Sequence, residues 1–124
     1  MCDAPVLFID DNLWCHLDNC ATLRERGYIV EEAYGASEAI ELIDKHRPLR
    51  AMVTDIDLGP GLDGFDLARR VRATHPRLPV IYISGAAAGR HRTEGVEGSI
   101  FIAKPFEPQQ IVEALRGVTC LAAA

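Results

Sequence analysis

Ala51-Met52-Val53-Thr54-Asp55-Ile56-Asp57-Leu58-Gly59-Pro60-Gly61-Leu62-Asp63-Gly64, residues 51–64, is a short β-prone run, a carboxylate at its end and a loop of turn formers. The run is continuous rather than alternating, which suits a strand covered on both faces. Downstream, Leu67, Ala68 and Val71 predict a helix reaching about His75, closed by Pro76. Pro79 to Ile83 is a second continuous run, and Ser84 stands at its end. Upstream, Ala39, Ile40 and Ile43 predict a helix that opens at Gly35-Ala36-Ser37 and ends before Pro48.

The same alternation fills the rest of the chain. Val6-Leu7-Phe8-Ile9 ends at Asp10-Asp11, and a helix follows with Leu13, Leu17, Cys20 and Leu23 expected on one face and Gly27 as its stop. Tyr28 to Ala33 reads as a strand, and Glu31 and Glu32 mark it as a sheet edge. Residues 85–98 carry four glycines and almost no apolar period, so only a short, weak helix and the chain's mobile segment are expected there. Ser99 to Ala103 is the last strand, ending at Lys104-Pro105, and Pro108 opens a helix on Ile111, Leu115 and Val118. Five βα units in succession predict a doubly wound parallel sheet with right-handed crossovers, in one domain spanning residues 1–124.

Bulk properties narrow the partners. Hydrophobic residues make up 48% and charged ones 25%, a globular composition, and the net charge of -5 gives no electrostatic reason to bind nucleic acid or an anionic membrane. No apolar stretch is long enough to span a bilayer and the N-terminus lacks a signal-peptide pattern, so a cytoplasmic protein is expected. Cys2, Cys15, Cys20 and Cys120 lack metal-binding or CxxC spacing and read as small hydrophobes.

In a parallel sheet the carboxyl ends of the strands share one edge, where open α/β sheets bind ligands. Asp10, Asp11, Asp55, Ser84 and Lys104 would meet there. Unpaired carboxylates repel one another and resist desolvation, so the cluster suits Mg²⁺ and a phosphoryl group better than a core. The ion would keep the acids charged. An ionised Asp55, alone on the central strand, could attack phosphorus and form an acyl phosphate. Lys104 offers a second cation, and Ser84 a hydroxyl donor to a phosphoryl oxygen. The strands that deliver these groups are neighbours in the flavodoxin-like order 2-1-3-4-5.

Phe8-Ile9-Asp10-Asp11, Val53-Thr54-Asp55-Ile56-Asp57-Leu58, Gly61-Leu62-Asp63-Gly64, Tyr82-Ile83-Ser84-Gly85 and Lys104-Pro105-Phe106 together resemble the receiver domain of two-component response regulators, over nearly the whole chain. The resemblance implies that Asp55 accepts phosphate from a phosphohistidine of a sensor histidine kinase or histidine phosphotransfer protein. It implies that Asp11 binds Mg²⁺ directly, Asp10 directly or through water, and Asp57 through its backbone carbonyl. Ser84 takes the place of the family's switch hydroxyl and Phe101 that of its switch aromatic, and a cis Lys104–Pro105 bond is expected. Two departures stand out: residues 55–64 are one longer than the commonest pattern, and residues 84–104 are slightly short and glycine-rich.

Such a chain would be a stand-alone receiver without an output domain, a monomer or weak dimer that acts on a downstream protein. It would be no enzyme beyond its own phosphorylation and dephosphorylation. One alternative is a phosphorylation-independent binding module of the same fold. Another is a haloacid dehalogenase-type phosphatase, since Asp55 and Asp57 mimic a nucleophile and general acid; the early Asp10-Asp11 pair argues against it. Simpler readings are a strand-ending Ser84 and a core Phe101. Trp14 and His16 are expected as a surface aromatic and a solvated histidine, and Arg69, Arg70, Arg72 and Arg77 as a solvated helix face.

Overall fold

The computed structural model describes residues 4–85 and 88–123, without the side chains at 88, 89, 92 and 119–123. Its sheet has five parallel strands: β1 (Val6–Ile9), β2 (Val30–Ala33), β3 (Ala51–Asp55), β4 (Val80–Ser84) and β5 (Ile100–Ala103). Their order is β2-β1-β3-β4-β5, so β2 is an edge, as Glu31 and Glu32 suggested. Register aligns the strand ends: Ile9 lies beside Thr54, Asp55 beside Ile83 and Ser84 beside Ala103.

Strand side chains alternate between the two faces, so each face acquires its own core. Leu7, Ile9, Met52, Val80 and Tyr82 pack with helices α2 (Ala36–Asp44) and α3 (Gly64–Thr74) through Ala39, Ile43, Phe65, Leu67 and Val71. Val6, Phe8, Val53, Ile81 and Ile83 face the first helical segment (α1, residues 13–25) and the last helix through Cys20, Leu23, Ile111 and Leu115. Helix α4 (Ala88–Glu94) is short, as its glycines suggested, and α5 runs Pro108–Ala123. Ala86 and Ala87 of the expected mobile segment lie outside the described residues, as does Cys2, and the side chain of Cys120 is likewise undescribed.

Two expectations need correction. Strand β2 begins at Val30 rather than Tyr28, because Tyr28 belongs to the helix stop: Gly27, at φ 92°, donates to Arg24 O and Tyr28 to Leu23 O. That pair of bonds ends a helix with a left-handed residue, which glycine adopts without strain. Helix α1 is also not uniform. It runs as an α turn (Leu13–Cys15), a π turn (His16–Cys20) and an α segment (Ala21–Glu25). The buried face of this segment is His16, Asn19, Cys20 and Leu23, at helical spacing. Leu13 and Leu17 lie to the side of that face and stand 52% and 53% exposed, while His16 and Asn19 turn inward beside Cys20 and Leu23.

Candidate functional site

Each strand end delivers its group through local bonds. Asp10 leaves β1 with its N–H on Ala33 O, and its Oδ1 accepts the Asn12 N–H at 2.9 Å. Asn12 then caps α1, accepting from Trp14 and Cys15. After β3, the chain returns to α3 at Asp63, whose side chain and that of Asp66 form a reciprocal capping box. Gly64 follows, and a Cβ there would stand 2.5 Å from Asp55 O, so glycine is what lets α3 start directly beneath the Asp55 peptide. The Thr54 hydroxyl donates to that same carbonyl at 2.8 Å.

The structure brings Asp10, Asp11, Asp55 and Lys104 together. Carboxylate oxygens of the three acids lie within 4.8 Å of one another, with Asp10 and Asp55 buried and Asp11 exposed. Lys104 Nζ donates to Asp10 Oδ2 at 3.3 Å and Asp55 Oδ2 at 3.4 Å. The Lys104–Pro105 bond is cis, and the Lys104 N–H bonds Ser84 O, tying β5 to the end of β4. Burial and the adjacent Asp10 charge push Asp55 up from 3.8 to about 6, against the opposing pull of Lys104 and the Asp57 N–H. Burial works against the Lys104 ammonium, but Asp10 and Asp55 outweigh it and hold its pKa above the ordinary value. Two acids and one cation leave net negative charge in a half-dry pocket. Hard oxygen donors at this spacing suit a small divalent cation, so the residues present fit Mg²⁺.

Other expected residues lie around this centre. Ser84 is buried at the end of β4, and Asp57 is exposed on the loop after β3. Phe101 is partly buried on the opposite face, its ring 5.7 Å from His91, which in turn lies 5.5 Å from Tyr82. A cleft of about 430 Å³ opens beside Lys104, lined by Asn12, Trp14, Asp18, Asn19 and Phe106 among others. Trp14 is the surface aromatic expected, at 72% exposure. Burial pushes the thiols of Cys15 and Cys20 up to about 11 and about 12, in keeping with inert hydrophobes.

His16 overturns its sequence reading. It is buried rather than solvated: Nε2 lies 2.7 Å from Asp10 O, Nδ1 lies 2.9 Å from Glu32 Oε1, and the ring stacks on Tyr34. His16 stands four residues before Cys20 and seven before Leu23, on their buried face of the helix, but a polar side chain there gives no apolar signal. The arginines also do more than cover a helix. Arg69 and Arg72 bond the carbonyls of Glu94 and Glu97, Arg70 pairs with Asp44, and Arg90 on α4 pairs with Asp63.

Comparison with known proteins agrees with this geometry. A family model, the response regulator receiver domain, matches residues 6–116. The chain belongs to the response regulator receiver domain family. The receiver is 29% identical over 115 residues to the response regulator MprA of Mycobacterium ulcerans, covering 91% of this chain and 49% of that protein. It thus spans about half the length of the curated relatives it matches. A response regulator receiver protein from Sinorhizobium medicae superposes with a TM-score of 0.92 at 32% identity, covering 96% of each chain. The chemotaxis response regulator CheY4 of Vibrio cholerae gives 0.82 at 26% identity, covering 94% of this chain and 99% of that one. The receiver is therefore a phosphoacceptor-type signalling domain of two-component systems rather than a conventional enzyme. Among the described residues no helix is long and apolar enough to cross a membrane. These matches give no support to a dehalogenase-type phosphatase.

Proposed function

We propose that Asp55 is the phosphoacceptor, and that Asp10, Asp11 and Asp55 hold Mg²⁺ together with the backbone carbonyl of Asp57. The observation that carries this reading is the convergence of three carboxylates with the Lys104 ammonium on a single strand-end edge. Bound Mg²⁺ supplies neutralisation of the carboxylates and of the phosphoryl oxygens. An Asp55 oxygen attacks phosphorus on a phosphohistidine. The P–N bond breaks, its electron pair stays on the imidazole nitrogen, which takes up a proton, and the new O–P bond makes an acyl phosphate. Lys104 remains beside the acceptor oxygen and offsets the charge that accumulates there.

In this reading the donor is a sensor histidine kinase or a histidine phosphotransfer protein, and the setting is the cytoplasm. Phosphate adds charge and acceptor oxygens, drawing the Ser84 hydroxyl toward it, and the segment packed near Phe101 rearranges to change a surface for a downstream protein. Self-catalysed phosphorylation and dephosphorylation are the only chemistry assigned.

The test is incubation with a small-molecule phosphodonor, with and without Mg²⁺, followed by intact mass. A gain of one phosphoryl group that needs Mg²⁺ and vanishes in Asp55→Asn supports the reading. No gain by a chain shown separately to bind Mg²⁺ would overturn it in favour of a binding module that does not cycle phosphate.

A further inference from the structure

We propose that His16 is a positioning residue for the acidic site, holding the Asp10–Asp11 peptide at the angle that presents the Asp11 carboxylate to the cation. The inference rests on the functional reading above and extends it to a residue outside the acidic cluster. A backbone carbonyl can only accept, so Nε2 is the donor nitrogen in the 2.7 Å contact to Asp10 O. That carbonyl and the Asp11 N–H belong to one planar unit, so fixing one fixes the direction in which Asp11 leaves the strand.

The other two polar groups of Asp10 that face the turn are already engaged: its N–H on Ala33 O and its Oδ1 on the Asn12 N–H. His16 supplies the third constraint. Its own orientation is set from three sides. Glu32 Oε1 meets Nδ1 at 2.9 Å, Tyr34 stacks at 3.8 Å between centroids, and Phe8 meets the ring edge-on at 5.0 Å. Glu32 is anchored in turn by Arg24 at 2.9 Å. Burial alone would raise its pKa, yet Arg24 and His16 hold it below the usual carboxylate range. A π turn starts at His16, and such turns recur at functional sites.

Two substitutions separate this role from plain packing. Gln places an amide nitrogen where Nε2 stands, whereas Asn reaches only the Nδ1 position; both remove the ring and its stacking. Mg²⁺ affinity is measured on the whole chain by calorimetry, and the melting temperature alongside it. His16→Gln is expected to stay within about twofold of the wild type, and His16→Asn to lose roughly tenfold, the scale found when groups that orient a metal's ligands are removed. Both should melt at similar temperatures below the wild type. Equal affinities of the two variants, beside a wild type that binds Mg²⁺, would overturn this inference and leave the phosphoacceptor reading standing.

Should either variant fail to fold, Glu32→Ala tests the same chain of contacts from its partly exposed end. Its Mg²⁺ affinity is expected to fall about threefold as the ring loosens, and an unchanged value would overturn the inference. A wild type that binds no Mg²⁺ would overturn the functional reading and this inference together.

Discussion

The ammonium of Lys104 stands 3.4 Å from the Asp55 carboxylate, across 49 residues of chain. It is the one cation among the described residues that bonds both Asp10 and Asp55, and it draws the Asp55 pKa down while burial and Asp10 draw it up. Lys104→Met keeps the stem and deletes the charge. The Asp55 midpoint of the metal-free protein should then move further above about 6, followed by carboxyl-carbon NMR. Phosphorylation at saturating Mg²⁺ should slow by about a hundredfold. A fixed midpoint would show that Lys104 does not act on Asp55.

Metal-free stability should depend on pH with an unusual sign. The folded pKa of Asp55, about 6, exceeds its ordinary 3.8, so between these values the folded state holds a proton that the unfolded state has lost. Stability then falls as pH rises from about 3.8 to about 6 and levels off above that, a loss on the order of 1–3 kcal/mol. Glu32 works in the opposite sense: its folded pKa lies below 4.5, so its contribution is present above that value and lost in acid. Urea midpoints of the chelator-treated protein should be highest between about pH 3.8 and 4.5 and decline from there to a plateau above about 6. Saturating Mg²⁺ should remove the decline that runs up to about 6, because the ion favours the charged acids.

Gly64→Ala should damage the site without touching a functional side chain. The new Cβ meets the Asp55 carbonyl at 2.5 Å and Ile56 Cα at 2.9 Å, both backbone atoms that cannot swing aside. A loss of about 1–3 kcal/mol is expected in denaturant midpoint at unchanged slope, with weaker Mg²⁺ binding as β3 shifts. An unaltered Mg²⁺ affinity would mean that the Asp55 end of β3 is held independently of α3.

Tyr82→Phe probes the segment after β4. The buried Tyr82 hydroxyl accepts the Val96 N–H at 3.1 Å, and removing it costs about 1–2 kcal/mol. Amide exchange should accelerate at Val96 and along α4, while that of β1 and β3 changes only with the global stability. Equal acceleration everywhere would show that this segment opens only when the whole domain unfolds.

The sheet was legible because its strands are covered on both faces, and continuous runs such as Val6–Ile9 and Ala51–Thr54 have no other comfortable home. The acids and Lys104 followed from the strand ends, and the cis Lys104–Pro105 bond from the family likeness. Tyr28 was misplaced because an apolar residue after Gly27 looks the same whether it closes a helix or opens a strand. His16 escaped notice because a polar side chain gives no apolar signal even at helical spacing from Cys20 and Leu23, and its main partner is a backbone carbonyl. The roles of Arg69 and Arg72 were hidden for the same reason, since the carbonyls of Glu94 and Glu97 carry no residue-specific signature in sequence.

Strand register has one more consequence. Asp10 and Lys104 are 94 positions apart, and they become neighbours only after β1, β3, β4 and β5 have all been laid edge to edge. A nascent chain emerging from a ribosome therefore exposes its acid pair long before the counter-charge exists. Mg²⁺ capture at this edge would report completion of the sheet, and a fragment ending short of residue 104 would carry the acids with no cation to reconcile them.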